Sequence, residues 1–382
     1  MDPLFTPLSF SRGPAMKNRF MLAPMTNKQS NLDGTVSDQE ISWLLRRARG
    51  GFAHIVTCAS TVQPCGRGFP GEIGVYDDMH LPGLRKLASA LAGAGSVASV
   101  QLNHAGIRAD STGRVGPSAD AETGARALTV EEIEAVIDSF ADAAARAEAA
   151  GFHGVQIHGA HGYLIAQFLS RTINRRTDQY GGSLENRSRL LFRVVNAIRR
   201  RCGKDFQLGI RISPERYGQD FFDVRETVQR LLDEALIDYL DMSLWNIFKE
   251  PDDERAHGKS IMAHFLELDR GPVRVGVAGR IVDPETARAC LDAGADYVAL
   301  GKVAILHGDY PNRVSGDPAF KPRWLPVTPE YLRGQAVGES FIKYLASYMR
   351  NFVEGVHPRA GGSGVKSAWT DEQLGLVPVS SK

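Results

Sequence analysis

Short β-branched apolar runs alternate with amphipathic stretches along most of this chain. Eight runs read as strands: Arg19–Met25, His54–Val62, Val97–Asn103, Gly154–His158, Gln207–Ile212, Tyr239–Ser243, Val273–Ala278 and Tyr297–Leu300. Several are nearly continuous in apolar residues instead of alternating. That is the pattern of strands covered on both faces, and so of a parallel sheet. Between them, helical periodicity is clearest over Glu131–Ala150, with Thr129 as its cap. Leu184–Arg201, Val224–Ala235 and Pro284–Ala293 follow the same pattern, the last capped by Asp283. Eight strand–helix units favour a closed barrel, an α/β fold of the single (β/α)8 TIM type. An open, doubly wound sheet would carry a glycine fingerprint after its first strand, and Met25-Thr26-Asn27 holds none.

Two segments lie outside the repeat. Residues 1–18 read as an N-terminal lid over the barrel bottom, and residues 19–310 as the barrel itself. Residues 311–382 read as a C-terminal extension with one helix, Tyr331–Phe352, and a flexible Gly/Ser-rich tail. The Gly- and Ser-rich stretch Gly106–Leu128 follows strand three, which in a barrel puts it at the mouth.

Charge and cysteine usage narrow the function. Lys plus Arg number 45 against 44 Asp plus Glu, so there is no basic excess to hold a nucleic acid. The run Arg199-Arg200-Arg201 closes a helix, where cations suit the dipole. The four cysteines are scattered, without CxxC or zinc-like spacing, as expected of reduced thiols in a cytoplasmic protein. No apolar run is long enough for a membrane helix, and the N-terminus shows no secretory pattern.

In a β/α barrel, the C-terminal strand ends carry the chemistry. Gly279 and Gly301 end adjacent strands seven and eight, the usual phosphate position, with Arg280 and Lys302 beside them. The alternative is two ordinary strand-end glycines. Gln101 can both donate and accept toward a heterocycle edge, and Arg211 can hold a negatively charged ring; with Thr26 and Ala59 they could line a flat cofactor. For Arg211 alone, a strand-end salt bridge is the competing reading. His158-x-x-His161-x-Tyr163 offers two imidazole donors for one oxygen and a hydroxyl able to give a proton. A metal site is the rival there, with His104 as a third ligand.

These residues carry a resemblance to a known family. His158 through Ser170, continuing through Asn174 to Arg187, resembles the signature of the old yellow enzymes, as does Asn18-Arg-Phe-Met-Leu-Ala-Pro24-Met25-Thr26. Gln101 to Gly106 and Ala278-Gly279-Arg-Ile281 fall in the same order, so the resemblance spans roughly residues 3 to 310. It implies a non-covalent FMN in a short-form barrel without an iron–sulfur domain. Pro24, Met25, Thr26, Ala59, Gln101 and Arg211 match positions that hold the flavin ring, and Gly279, Gly301 and Lys302 match those that hold its phosphate. His158 and His161 match the pair that grips a substrate carbonyl oxygen, and Tyr163 the proton donor. The implied activity is that of an NAD(P)H:flavin oxidoreductase, an ene-reductase that reduces an unsaturated carbonyl compound in two half-reactions.

Four features depart from the family pattern. Lys302 stands where Arg is usual, so a point charge replaces a fork on the phosphate. The loop Gly106–Leu128 is short and polar, and Trp245–His264 is unfamiliar, with Trp245, Phe248 and Lys249 within reach of the mouth. No cysteine cluster follows the barrel. The same residues would serve a flavin dehydrogenase or a nitro-reductase. Readings from other classes are a non-catalytic FMN-binding regulator and a metal-dependent barrel hydrolase. The C-terminal segment could pack on a second copy of the chain, making a homo-oligomer.

Overall fold

The eight apolar runs each form a strand: β1 (Phe20–Leu22), β2 (His54–Thr61), β3 (Val97–Asn103), β4 (Gly154–Gly159), β5 (Gln207–Ile212), β6 (Tyr239–Ser243), β7 (Arg274–Ala278) and β8 (Tyr297–Leu300). This is a computed structural model, and it describes residues 2–355. Neighbouring barrel strands pair in parallel, and β1 pairs with both β8 and β2, which closes the ring. Closure excludes the open doubly wound sheet.

Helices cover the outside. They include α1 (Asp38–Arg49), α2 (Leu81–Gly93), α3 (Val130–Ala149), α4 (Leu164–Leu169), α5 (Leu184–Arg201), α6 (Phe221–Glu234), α7 (Ile261–Leu266), α8 (Pro284–Asp292) and α9 (Lys302–Leu306). Local chemistry sets their ends. Thr129 and Glu132 form a reciprocal capping box at the start of α3, and Asp283 accepts from Thr286 N at the start of α8. The apolar face of α3 buries Ile133, Val136, Ile137 and Phe140 in the core.

Inside the barrel, side-chain size alternates between neighbouring strands. A Cβ at Gly209 would fall 2.1 Å from the Tyr239 ring, and one at Gly276 would fall 2.1 Å from the Tyr297 ring. The two glycines make room for two fully buried aromatic rings, which fill the lower barrel. The N-terminal residues pack below them. Leu8 and Met16 pair as an antiparallel bridge, Phe10 lies 5.9 Å from Tyr239, and Pro14 O accepts from Gln207 Nε2 at 2.9 Å.

The C-terminal extension differs from the single helix expected over Tyr331–Phe352. It forms α10 (Tyr310–Gly316), α11 (Pro329–Gly334) and α12 (Glu339–Tyr348). The break has a local cause: Gly334 and Gly338 flank Ala336, whose φ is 57°, a left-handed conformation no helix continues. Arg47 donates to Gln335 O at 2.6 Å, and Gly338 N donates to Gln29 Oε1 at 2.7 Å, so the break is tied to the barrel. The expected Gly/Ser-rich tail lies outside the described residues. Among the described residues, no helix is long and apolar enough to cross a membrane.

Candidate active site

Strand register brings the polar residues together. His158 on β4 is level with Arg211 on β5, and Arg211 with Asp241 on β6. Side chains alternate along a strand, so Gln156 and His158, or Asp241 and Ser243, face the same side. They form one chain of hydrogen bonds. Gln101 Nε2 donates to Gln156 Oε1 at 2.8 Å, and Gln156 Nε2 to Asp241 Oδ2 at 3.3 Å. Arg211 reaches Asp241 Oδ2 at 3.0 Å and Ser243 Oγ at 3.3 Å. Ser243 Oγ lies 2.9 Å from His161 Nε2, and His161 Nδ1 lies 2.9 Å from His158 Nε2.

The chain has a direction. Arg211 can only donate, so Ser243 Oγ accepts from it and turns its own proton toward His161 Nε2. His161 then carries its proton on Nδ1 and donates to His158 Nε2. His158 is left protonated on Nδ1, a buried atom without a partner among the described residues. Burial keeps both rings neutral: it pushes His158 down to about 3, with Arg211 and Arg108 adding repulsion, and His161 well below its usual value.

His161 sits at φ 60° in the tight turn after β4. Gln167 Nε2 holds that turn through Gly162 O at 2.8 Å. Tyr163 follows as the residue preceding α4, with its ring 4.8 Å from His158. Burial raises the Tyr163 phenol, so it stays protonated at neutral pH.

The other expected residues rim the same mouth. Pairing of β2 with β3 shifts register between Val56 and Ala59, a bulge filled by Thr57 Oγ1, which accepts from Gln101 N at 3.1 Å. Thr26 lies beside the hydroxyl of Tyr344 on α12. Met25, after Pro24, comes within 3.5 Å of where a Cβ on Gly301 would lie. Gly279 has φ 151°, and a Cβ there would meet Trp245 backbone at 2.9 Å, so only glycine fits. Gly301 precedes α9, whose first N–H groups have no side-chain cap. Beside it, burial and then Arg280 lower the Lys302 ammonium to about 8.

These residues fit an FMN. Two adjacent cations and an uncapped helix start suit a phosphate, and Arg211 Nε is a buried donor without a hydrogen-bond partner in the described structure. A metal fits less well. His104 Nδ1 accepts from Gly106 N at 3.0 Å, and no group of three or more His, Cys, Asp or Glu among the described residues is placed to hold an ion.

Sequence reasoning missed Gln156, Asp241 and Ser243. Their signal was polar residues two apart in otherwise apolar strands. It also missed Arg108, Tyr217 and Tyr344 around the mouth. Of the unfamiliar segment, Trp245 reaches the site, 6.1 Å from His161. Phe248 is exposed, and Lys249 pairs with Glu215 and Asp252 instead.

Buried His54, His104 and His158, with the partly buried His161, make stability pH-dependent. His54 is pushed down to about 3, His104 to about 4 and His158 to about 3, with His161 lower than usual, chiefly by burial. Depressed folded values mean the unfolded chain takes up protons first. Their contribution is complete above about pH 6.5 and is lost as pH falls toward the folded values. Buried Glu72 and Glu40, raised to about 8 and about 7, act oppositely between about pH 4.5 and those values. The two effects partly cancel down to about pH 4.5; below that only the histidine term of these two remains. Calorimetry should show a Tm that changes modestly from pH 6.5 to 4.5 and then drops steeply. An unchanged Tm down to pH 3.5 would contradict the burial assigned to these rings.

A closed parallel barrel with two glycines and two cations at the ends of its last two strands, and a polar cluster at its mouth, suits an enzyme built around a phosphate-bearing cofactor. The chain belongs to the NADH:flavin oxidoreductase / NADH oxidase family, whose pattern matches residues 3–318. It is 36% identical over 327 residues to the probable NADH-dependent flavin oxidoreductase YqiG of Bacillus subtilis, covering 82% of this chain and 87% of that one. It is 33% identical over 317 residues to an NADPH dehydrogenase of Geobacillus thermodenitrificans, covering 81% and 92%. Its fold matches the old yellow enzyme homologue from Zymomonas mobilis with a TM-score of 0.75 at 27% identity, over 87% of this chain and 98% of that one. The protein is thus an FMN-dependent, NAD(P)H-using oxidoreductase of the old yellow enzyme family.

Proposed function

We propose that the protein reduces the activated C=C bond of an α,β-unsaturated carbonyl compound with NAD(P)H, in two separate half-reactions. The observation that carries this reading is the cluster of His158, His161 and Tyr163 at one strand end, wired through Ser243 to Arg211. Pro24, Met25, Thr26, Ala59, Gln101 and Arg211 would hold the flavin ring, and Gly279, Arg280, Gly301 and Lys302 its phosphate. FMN held there would supply the hydride chemistry that links NAD(P)H to the β-carbon of the alkene.

The chain's own residues do the rest. His158 and His161 take the substrate carbonyl oxygen. For His161 this exchanges its bond to His158 for one to substrate, so no donor is left without a partner. Neutral imidazoles donate to the oxygen most strongly when negative charge builds on it, which favours the enolate-like transition state over the ground state. The Tyr163 hydroxyl gives its proton to the α-carbon and is reprotonated from water, so one hydride and one proton add across the bond. Arg211 would supply fixed positive charge to a flavin held there, favouring negative charge on it.

The test is product analysis. With NADPH or NADH and 2-cyclohexenone, the FMN-loaded protein should yield cyclohexanone in step with nicotinamide oxidation. Nicotinamide consumed without cyclohexanone would rule the reading out.

A further inference from the structure

Arg108 stands exposed at the rim of the mouth, in the loop after β3. Its Nη1 donates to His161 O at 2.9 Å, and its guanidinium lies 5.4 Å from the Tyr163 ring and 5.8 Å from the Tyr217 ring. Among the described residues, its partners are a carbonyl oxygen and aromatic groups, never a carboxylate. Lys28 repeats the pattern. Its Nζ lies 5.5 Å from the Tyr344 ring and 5.3 Å from the Tyr348 ring. Tyr344 itself adjoins Thr26 and Tyr163, so both cations border one opening.

The carboxylates that could neutralise this rim are engaged elsewhere or uncharged. Asp110, on the same loop, faces Arg67 at 3.9 Å. Glu215 and Asp252 take Lys249, and Asp241 takes Arg211. Glu72, the acid that bears on Tyr163, is buried and accepts from Gly68 N and Asn103. Burial raises it to about 8, so it is mostly protonated at pH 7. A rim carrying two such cations above a proton donor attracts an anion.

We propose that Arg108, with Lys28, selects substrates that carry a carboxylate beside the unsaturated carbonyl. The inference rests on the ene-reductase reading and gives it a substrate class: unsaturated keto acids over neutral enones. Arg108 supplies the specific contact, since a guanidinium offers paired donors that match a carboxylate. Lys28 supplies a point charge at the entrance. A dinucleotide phosphate offers the same anionic chemistry. Arg108 is bonded to His161, two residues from Tyr163, which places it with the substrate being protonated.

The test compares 3-oxocyclohexene-1-carboxylate with its methyl ester, the same ring with and without charge, on the FMN-loaded full chain. The wild type should prefer the acid. Arg108→Gln should lower kcat/KM for the acid by about 10- to 100-fold, the worth of charge-assisted hydrogen bonds, and leave the ester within about 2-fold. Lys28→Gln should cost the acid less, and added salt should erode the preference. Calorimetry with the saturated keto acid, 3-oxocyclohexane-1-carboxylate, reads binding without turnover, and Arg108→Gln should weaken it similarly. Equal use of acid and ester, unaltered in Arg108→Gln, overturns the inference and leaves ene-reduction standing. A loss confined to reduction by NAD(P)H also overturns it, assigning the rim to the dinucleotide. If neither compound is reduced, ene-reduction fails, and the calorimetric comparison alone decides the anion site.

Discussion

Tyr163→Phe is expected to slow reoxidation of the reduced protein by an enone by about 10²- to 10⁴-fold, the usual contribution of a positioned general acid. Reduction by NAD(P)H should stay near wild type. The substitution removes one hydroxyl and keeps the ring, with its contacts to His158 at 4.8 Å and Arg108 at 5.4 Å. The fold around α4 should therefore be unchanged, since Tyr163 enters it through backbone and makes no side-chain cap. Rapid mixing under anaerobic conditions separates the two half-reactions. Equal slowing of both would remove Tyr163 from the proton-donor role and make it a binding residue.

Arg211→Met should have the largest effect on the folded protein itself. Its guanidinium meets Asp241, a fully buried acid, at 3.0 Å. Removing one partner of a buried pair strands the other and costs about 3–5 kcal/mol. It also removes the donor to Ser243, freeing that hydroxyl to reverse its bond with His161. Denaturant unfolding should show the loss of stability, and the purified variant should retain little FMN. The double variant Arg211→Met with Asp241→Leu separates the two effects. It should recover much of the stability, because no lone charge remains, while FMN retention stays low. If FMN returned along with stability, Arg211 would be a structural residue only.

Much of the barrel was legible because a parallel strand buried on both faces has little choice of residue. His54–Thr61 and Val97–Asn103 are buried at every position. The helix Leu184–Arg201 was legible to the residue, since its apolar positions recur at helical spacing and three arginines close it. Strand ends then pointed to His158, His161, Tyr163, Gly279 and Gly301 without any structure. The relay beneath them was not legible in that way. Asp241 and Ser243 belong to Tyr-Leu-Asp-Met-Ser, where either could face a helix, and register alone sets Asp241 beside Arg211. Tyr344 was hidden for another reason. It comes back to Thr26 only because the chain breaks between α11 and α12, and Arg47 and Gln29 hold that break from far away in sequence. A continuous helix would have carried it elsewhere.

The most direct test of the account is a single anaerobic experiment on the FMN-loaded protein. NADPH or NADH is added until the flavin absorption bleaches, and 2-cyclohexenone is then mixed in. The absorption should return in step with one cyclohexanone per flavin, and Tyr163→Phe should delay this second phase alone. Bleaching followed by no return with the enone would contradict it, leaving a flavin reductase whose His158, His161 and Tyr163 serve some other acceptor.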